Sequence, residues 1–200
     1  MVTDILIITA CILIFQFIFW KRLKDDYKAN EIFSTSFFIL SGIGLGGLLS
    51  RLFFSLWWFW FSVVGVAIGL ALGIYKYKMK FYESLQASII GLLPWLVFIF
   101  LNHSVGNKSL SSFIAFIVTI IFIGCFYAVE ENYKNFSWYL SGRIGLSGLF
   151  TGGLFFLTRA IVAVFVPFVL SFVGKFEIIV SGVMAIIFIL LAVNLSGKLK

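Results

Sequence analysis

Apolar residues fall into seven long blocks along this chain, and polar residues gather in the short stretches between them. A helix needs about 20 mostly apolar residues to cross the hydrocarbon of a bilayer. The blocks therefore predict membrane helices over residues 5–20, 32–54, 57–74, 85–101, 110–129, 144–167 and 178–195. The sixth block is irregular. Apolar character continues from Ile144 to Gly174, too far for one straight crossing. A tilted helix, an interfacial piece after Pro167, or a re-entrant segment would absorb the excess. The expectation is an all-α fold: one transmembrane domain over residues 1–200, a polytopic bundle of about seven helices.

Composition agrees with the pattern. Hydrophobic residues make up 62% of the 200 and charged residues 12%, with a mean hydropathy of +1.13. A soluble globule carries roughly a quarter charged residues to cover its surface, so this chain does not have the surface of one.

Charge then sets an expected orientation. Eleven of the fifteen Lys and Arg fall after the first, third, fifth and seventh blocks, including Lys21, Arg22, Lys76, Lys134 and Lys198. The alternate side holds only Arg51, near the end of the second block, with Lys108 and Lys175. Cytoplasmic loops hold the excess of Lys and Arg, which predicts an outside N-terminus and a cytoplasmic C-terminus. Gaining or losing one span would scramble this alternation. The net charge of +7 does not indicate nucleic acid, because the 26 Phe lie inside apolar runs and the basic residues sit between them.

Small residues indicate how the helices meet. Gly65, Gly69 and Gly73 recur every fourth residue, as do Gly42 with Gly46 and Gly148 with Gly152. Such ridges let helix backbones approach in lipid; a groove for a lipid chain is the alternative. Trp57, Trp58 and Trp60 are expected at the outer interface, and Trp138 and Tyr139 at the inner one. Cys11 and Cys125 lie in apolar runs with no metal or disulfide spacing. Ile8-Thr9-Ala10-Cys11 spells a lipoprotein-processing box, but the stretch before it has no basic residue and is too short for a signal peptide. Cys11 is read as facing lipid or core.

Three residues are candidates for chemistry. Arg159 stands about 20 Å into the sixth helix, a depth at which arginines face a bundle interior or an aqueous cavity. Its planar fork suits a phosphate; the alternative is a structural arginine with a carbonyl partner. Arg51 ends the second helix and suits an outer-leaflet phosphate or a headgroup anchor. His103, the one histidine, lies in the expected outer loop Asn102-His103-Ser104, solvated or acting as a general base. Glu83, Glu130 and Glu131 fall at the inner face, and Asp4 and Glu177 at the outer face. No carboxylate pair falls inside an expected helix, which argues against a proton pump, since pumps carry buried acids. No phosphate loop, zinc spacing or nucleophile elbow is present, and no cofactor or metal is expected.

Two stretches carry a resemblance. Residues 21–101 hold a basic linker, Glu31, a glycine-rich run closing in Arg51-Leu52, Ile68-Gly69, and Lys76-Tyr77-Lys78 before Phe81-Tyr82-Glu83-Ser84-Leu85 and Pro94. Residues 135–161 hold Gly142-Arg143 and end near Arg159. Together they resemble the bacterial prolipoprotein diacylglyceryl transferases, over about half the chain. The resemblance implies seven helices in the bacterial cytoplasmic membrane and a reaction at the outer leaflet. There a diacylglyceryl group passes from phosphatidylglycerol to the cysteine thiol of a lipoprotein precursor. It assigns substrate binding to Arg51 and Arg159, and catalysis to Arg159, with His103 the available base. Where the family has His-Gly-Gly-Leu-Ile-Gly, this chain reads Val64-Gly65-Val66-Ala67-Ile68-Gly69. The family's Gly-Arg-Ile-Gly-Asn is absent from the end of the fourth helix; Gly142-Arg143-Ile144-Gly145 copies four of its letters elsewhere. The readings that remain are a divergent transferase, a non-catalytic scaffold or lipid-binding protein on the same fold, and a small transporter or channel subunit.

Overall fold

A computed structural model describes residues 2–135, 144–166 and 169–196, apart from the side chains of residues 2–5 and 135. Trp138, Tyr139, Gly142-Arg143, Pro167, Lys198 and Lys200, and the side chain of Asp4, lie outside the described residues. The chain forms seven helices, each long and apolar enough to cross a membrane. They are α1 Val2–Leu23, α2 Ala29–Phe53, α3 Trp58–Tyr77, α4 Phe81–Asn107, α5 Leu110–Asn132, α6 Leu146–Phe165 and α7 Phe176–Ser196. No strand occurs among the described residues. Large apolar side chains such as Leu13, Phe37, Leu72, Ile121 and Leu190 point outward around the bundle. In water such a surface would aggregate; in lipid it is solvated.

Several helices outrun their apolar blocks, because hydropathy marks the edge of the hydrocarbon and not the end of the helix. The largest difference is in α4, which continues six residues past Leu101 to Asn107. His103 therefore sits on a helix rather than in the expected loop. Pro94 stands inside α4 without ending it, as neighbouring helices permit in a membrane. The long sixth block resolves into a helix and a turn. α6 stops at Phe165, and residues 169–175 form non-helical turns before α7.

Contacts between helix ends establish an up-and-down order. The end of α1 meets the end of α5 through Arg22 and Glu130. The start of α4 meets the end of α7, where Asn194 donates to the Tyr82 hydroxyl at 3.2 Å. At the opposite pole Trp58, opening α3, reaches the α6–α7 connection. These poles are called here the basic end and the tryptophan end.

Glycine sets the spacing, as the ridges predict. Gly42 and Gly65 face each other so closely that a Cβ on either would collide with the other's backbone. Gly46 and Gly69 meet backbone in the same way, so α2 and α3 form the tightest pair of neighbours. Gly148 packs on Gln86, where an added Cβ would lie 2.6 Å from its Cα. Small residues take this role in lipid because no hydrophobic effect drives helix to helix there. α4 is central, touching α1, α5 and α6. α6 lies between α4, α5 and α7 and is the most enclosed helix, with Arg159 among its buried residues.

Candidate functional site

Arg159 projects from α6 into the tryptophan end and is 5% exposed. Its Nε donates to Glu177 Oε1 at 2.9 Å, and its Nη2 lies 2.8 Å from the same oxygen. Nη1 donates to Ser171 Oγ and Nη2 to the Ser171 carbonyl, each at 2.8 Å. The guanidinium carbon sits 3.8 Å from the centroid of Phe59 and 4.9 Å from that of Phe172. Those ring faces add cation–π attraction, which is stronger at a site buried from solvent.

Glu177 opens α7 and is wholly buried. Besides Arg159, its carboxylate accepts from Trp60 Nε1 at 3.0 Å, from the Val173 amide at 3.3 Å and from Ser181 Oγ. An ionised carboxylate offers about four lone-pair sites, so these donors fill it. This corrects the sequence reading on one point: Glu177 was placed among the charges at the outer face, and no buried acid was expected. The structure holds it in the core, one turn from Ser181 on the same face of α7. The local signal was that Glu177–Ser181 spacing; the decisive one is the distant Arg159.

The same side chains complete the turns at 169–175. Val169, Ser171, Phe172 and Val173 are buried. Non-helical backbone is tolerated at membrane depth only where protein satisfies its polar groups. The Ser171 carbonyl takes its hydrogen bond from Arg159, and the Leu170 carbonyl takes one from Trp58 Nε1 at 3.2 Å. The Val173 amide gives its hydrogen to Glu177. The tryptophans are therefore not a plain interfacial belt: Trp60 is 6% exposed, and both Trp58 and Trp60 spend their indole N–H on this cluster.

The other two candidates sit apart from it. Arg51, in the last turn of α2, is exposed and makes no hydrogen bond or ion pair among the described residues. Its neighbours Leu52, Phe53 and Phe54 are exposed as well. Nδ1 of His103 lies 2.8 Å from Ser112 Oγ, which is buried in the first turn of α5. That contact joins the ends of α4 and α5. The hydrogen-bond partners of Arg159 include neither Arg51 nor His103. Among the described residues no group of three or more His, Cys, Asp or Glu is placed to hold a metal ion.

Compared with models of known protein families, with curated proteins and with solved structures, the chain matches none of them.

Proposed function

We propose that this chain is a non-catalytic, lipid-embedded scaffold of the diacylglyceryl-transferase type. In this reading Arg159 binds the bundle together instead of a substrate phosphate. One observation carries it: the guanidinium is enclosed by Glu177, Ser171 and aromatic rings, with its charge neutralised inside the core. A phosphate would have to displace a carboxylate that already holds the fork, and would meet its negative charge while doing so. The missing histidine at Val64 points the same way.

Lipid contact falls instead to Arg51. A free guanidinium beside exposed Leu52, Phe53 and Phe54 suits an anionic phospholipid headgroup at the outer leaflet. An active transferase is the reading that the family resemblance alone favours. It requires Arg159 to leave Glu177 and face a lipid-filled space.

The test is reconstitution of the full chain with labelled phosphatidylglycerol and a cysteine-bearing lipoprotein-precursor peptide. Release of glycerol phosphate should stay at the level of protein-free vesicles. Turnover above that level, abolished by Arg159→Ala in protein that still folds, would establish the enzyme and reject the scaffold. Phosphatidylglycerol retained through purification should fall with Arg51→Gln and persist with His103→Gln.

A further inference from the structure

A groove of about 370 Å³ opens on the outer surface of the bundle, where the start of α2 lies against the end of α3. Its lining is Phe33, Ser34, Phe37, Phe38, Lys76 and Tyr77. It belongs to the basic end, yet it is separate from the cavity there. That cavity lies between the ends of α1, α4, α5 and α6, around the Arg22–Glu130 pair.

Polarity in the groove is graded along the helices. Lys76 and Tyr77 are the last two residues of α3, at the edge of its span. Phe33 and Phe37 stand one and two turns into α2, about 6 and 12 Å from its first residue. Both rings are exposed. The groove is therefore charged where the hydrocarbon begins and apolar further in.

A second observation concerns the charge itself. Lys76 is exposed, and its Nζ rests 5.5 Å from the centroid of Phe38 and 5.3 Å from that of Tyr77. A lysine near the end of a membrane helix ordinarily extends its head to water. Here the stem leans back along α3, as helical side chains lean toward the N-terminus, and two ring faces hold the ammonium over the groove. The ion pairs of the described residues belong to Arg22, Lys80 and Arg159, so no carboxylate neutralises Lys76. Glu31, the one acid of α2, accepts from the Lys28 amide at 3.2 Å and caps its own helix.

A cation at the boundary, two hydroxyls beside it and ring surface deeper in describe an amphipathic anion standing along the helices. A soluble anion would leave the rings uncovered, and a neutral lipid would leave the ammonium unanswered. We infer that the groove holds an anionic glycerophospholipid. Its phosphate receives N–H from Lys76 and O–H from Ser34 and Tyr77, and an acyl chain covers Phe33 and Phe37. A zwitterionic headgroup brings its own cation beside Lys76 and is disfavoured. The groove is at the opposite end of α2 from Arg51, and it stands whether or not Arg51 binds lipid.

Native mass spectrometry of the delipidated full chain, released from a neutral detergent, tests this by counting bound lipids. Every measurement uses the Arg51→Gln chain, so that a lipid held at Arg51 contributes nothing. Phosphatidylglycerol and phosphatidylcholine with identical acyl chains are added separately. The first phosphatidylglycerol should bind roughly fivefold more tightly than the first phosphatidylcholine. Lys76→Gln should abolish that preference, and Lys76→Arg should keep it. Lys21→Gln, which removes an exposed lysine resting over Phe17 at the same end, should leave it intact. Phe37→Ala should weaken both lipids alike, since the acyl chain is common to them. Glycerol 3-phosphate at the same concentration should not compete. The proposal is overturned by equal affinity for the two lipids, by a preference that survives Lys76→Gln or is lost equally in Lys21→Gln, or by unaltered binding in Phe37→Ala. Competition by glycerol 3-phosphate as effective as the lipid's own binding would also overturn it, and would make the groove a soluble-anion site.

Discussion

The bundle contains two arginine–glutamate pairs, one at each end, and they are built to different ends. Arg159–Glu177 is sealed, at 6% and 0% side-chain exposure, with ring faces and backbone carbonyl or amide groups completing both partners. Arg22–Glu130 is about a quarter exposed on each side, stands at the edge of a cavity, and adjoins the unpaired amide oxygen of Gln86. Residue chemistry alone does not distinguish them, since both are arginine–carboxylate pairs in which two guanidinium nitrogens reach the partner and aromatic rings lie beneath the guanidinium. What distinguishes them is whether anything remains to be satisfied. A closed set of donors and acceptors specifies a fold, and an incomplete one specifies it less tightly.

The largest expected effect comes from opening the sealed pair. Glu177→Ala would leave the Arg159 charge buried without its counter-ion, a change that costs about 3–5 kcal/mol in comparable cores. Thermal unfolding followed by tryptophan fluorescence should show it directly, because Trp60 donates to that carboxylate. Replacing both residues, Arg159→Met with Glu177→Met, removes the charge problem and should recover part of the loss. Recovery should stop short of the native value, because the Ser171 carbonyl, the Val173 amide and Trp60 Nε1 lose their partners at about 1–3 kcal/mol each. Full recovery would mean that the pair does not serve the 169–175 turns at all.

The seven spans and the glycine ridges were legible because both are local. An apolar run declares its own solvent, and Gly65, Gly69 and Gly73 declare one helix face. The position of Arg159 well along the sixth helix was legible for the same reason. Its partner was not, because Glu177 becomes an interior residue only when the 169–175 turns fold back against α6 and bring two distant segments together. Trp60 was misplaced for a related reason: an indole near a helix start fits an interface until a buried acceptor draws it inward. His103 moved from loop to helix because polarity ends a hydrophobic block without ending a helix. Gln86 sat inside an expected span, a polar residue next to its first position. Sequence alone could not show that its oxygen would be left without a donor.

The next expected effect is smaller and separates the two pairs by screening. Arg22→Gln should destabilise the bundle by about 1 kcal/mol at low salt, given the partial exposure of the pair. In about 1 M salt the Debye length falls to about 3 Å, and the penalty should shrink accordingly. The Glu177→Ala penalty should not move with salt, because no ions reach a core that excludes water. If both penalties fall together, the tryptophan end is open to solvent and the contrast between the ends fails.

The smallest expected effect sharpens the basic end alone. Tyr27 lies in the α1–α2 connection, donates to Glu83 at 2.8 Å and accepts from the Lys80 amide at 2.9 Å. Its pKa is raised above the ordinary 10.0, first by burial and further by the Glu83 carboxylate, with the Lys80 amide acting in the opposite sense. A raised value means the fold prefers the protonated phenol. That preference is fully present below about pH 10, where the unfolded phenol is also protonated, and is lost as pH climbs through the folded value. The advantage of Tyr27 over Tyr27→Phe should therefore hold steady through neutral pH and fade under alkaline conditions. Lys80, also raised by its hydrogen bond to Glu83 and by that carboxylate's charge, is common to both proteins and cancels in the difference. Because Tyr27 is partly solvated, the change should be under about 0.5 kcal/mol, measurable as a converging pair of unfolding midpoints between about pH 9 and pH 11. Midpoints that stay parallel across that range would mean that the phenol proton is not held by Glu83, and that one more acceptor of the cavity stands free.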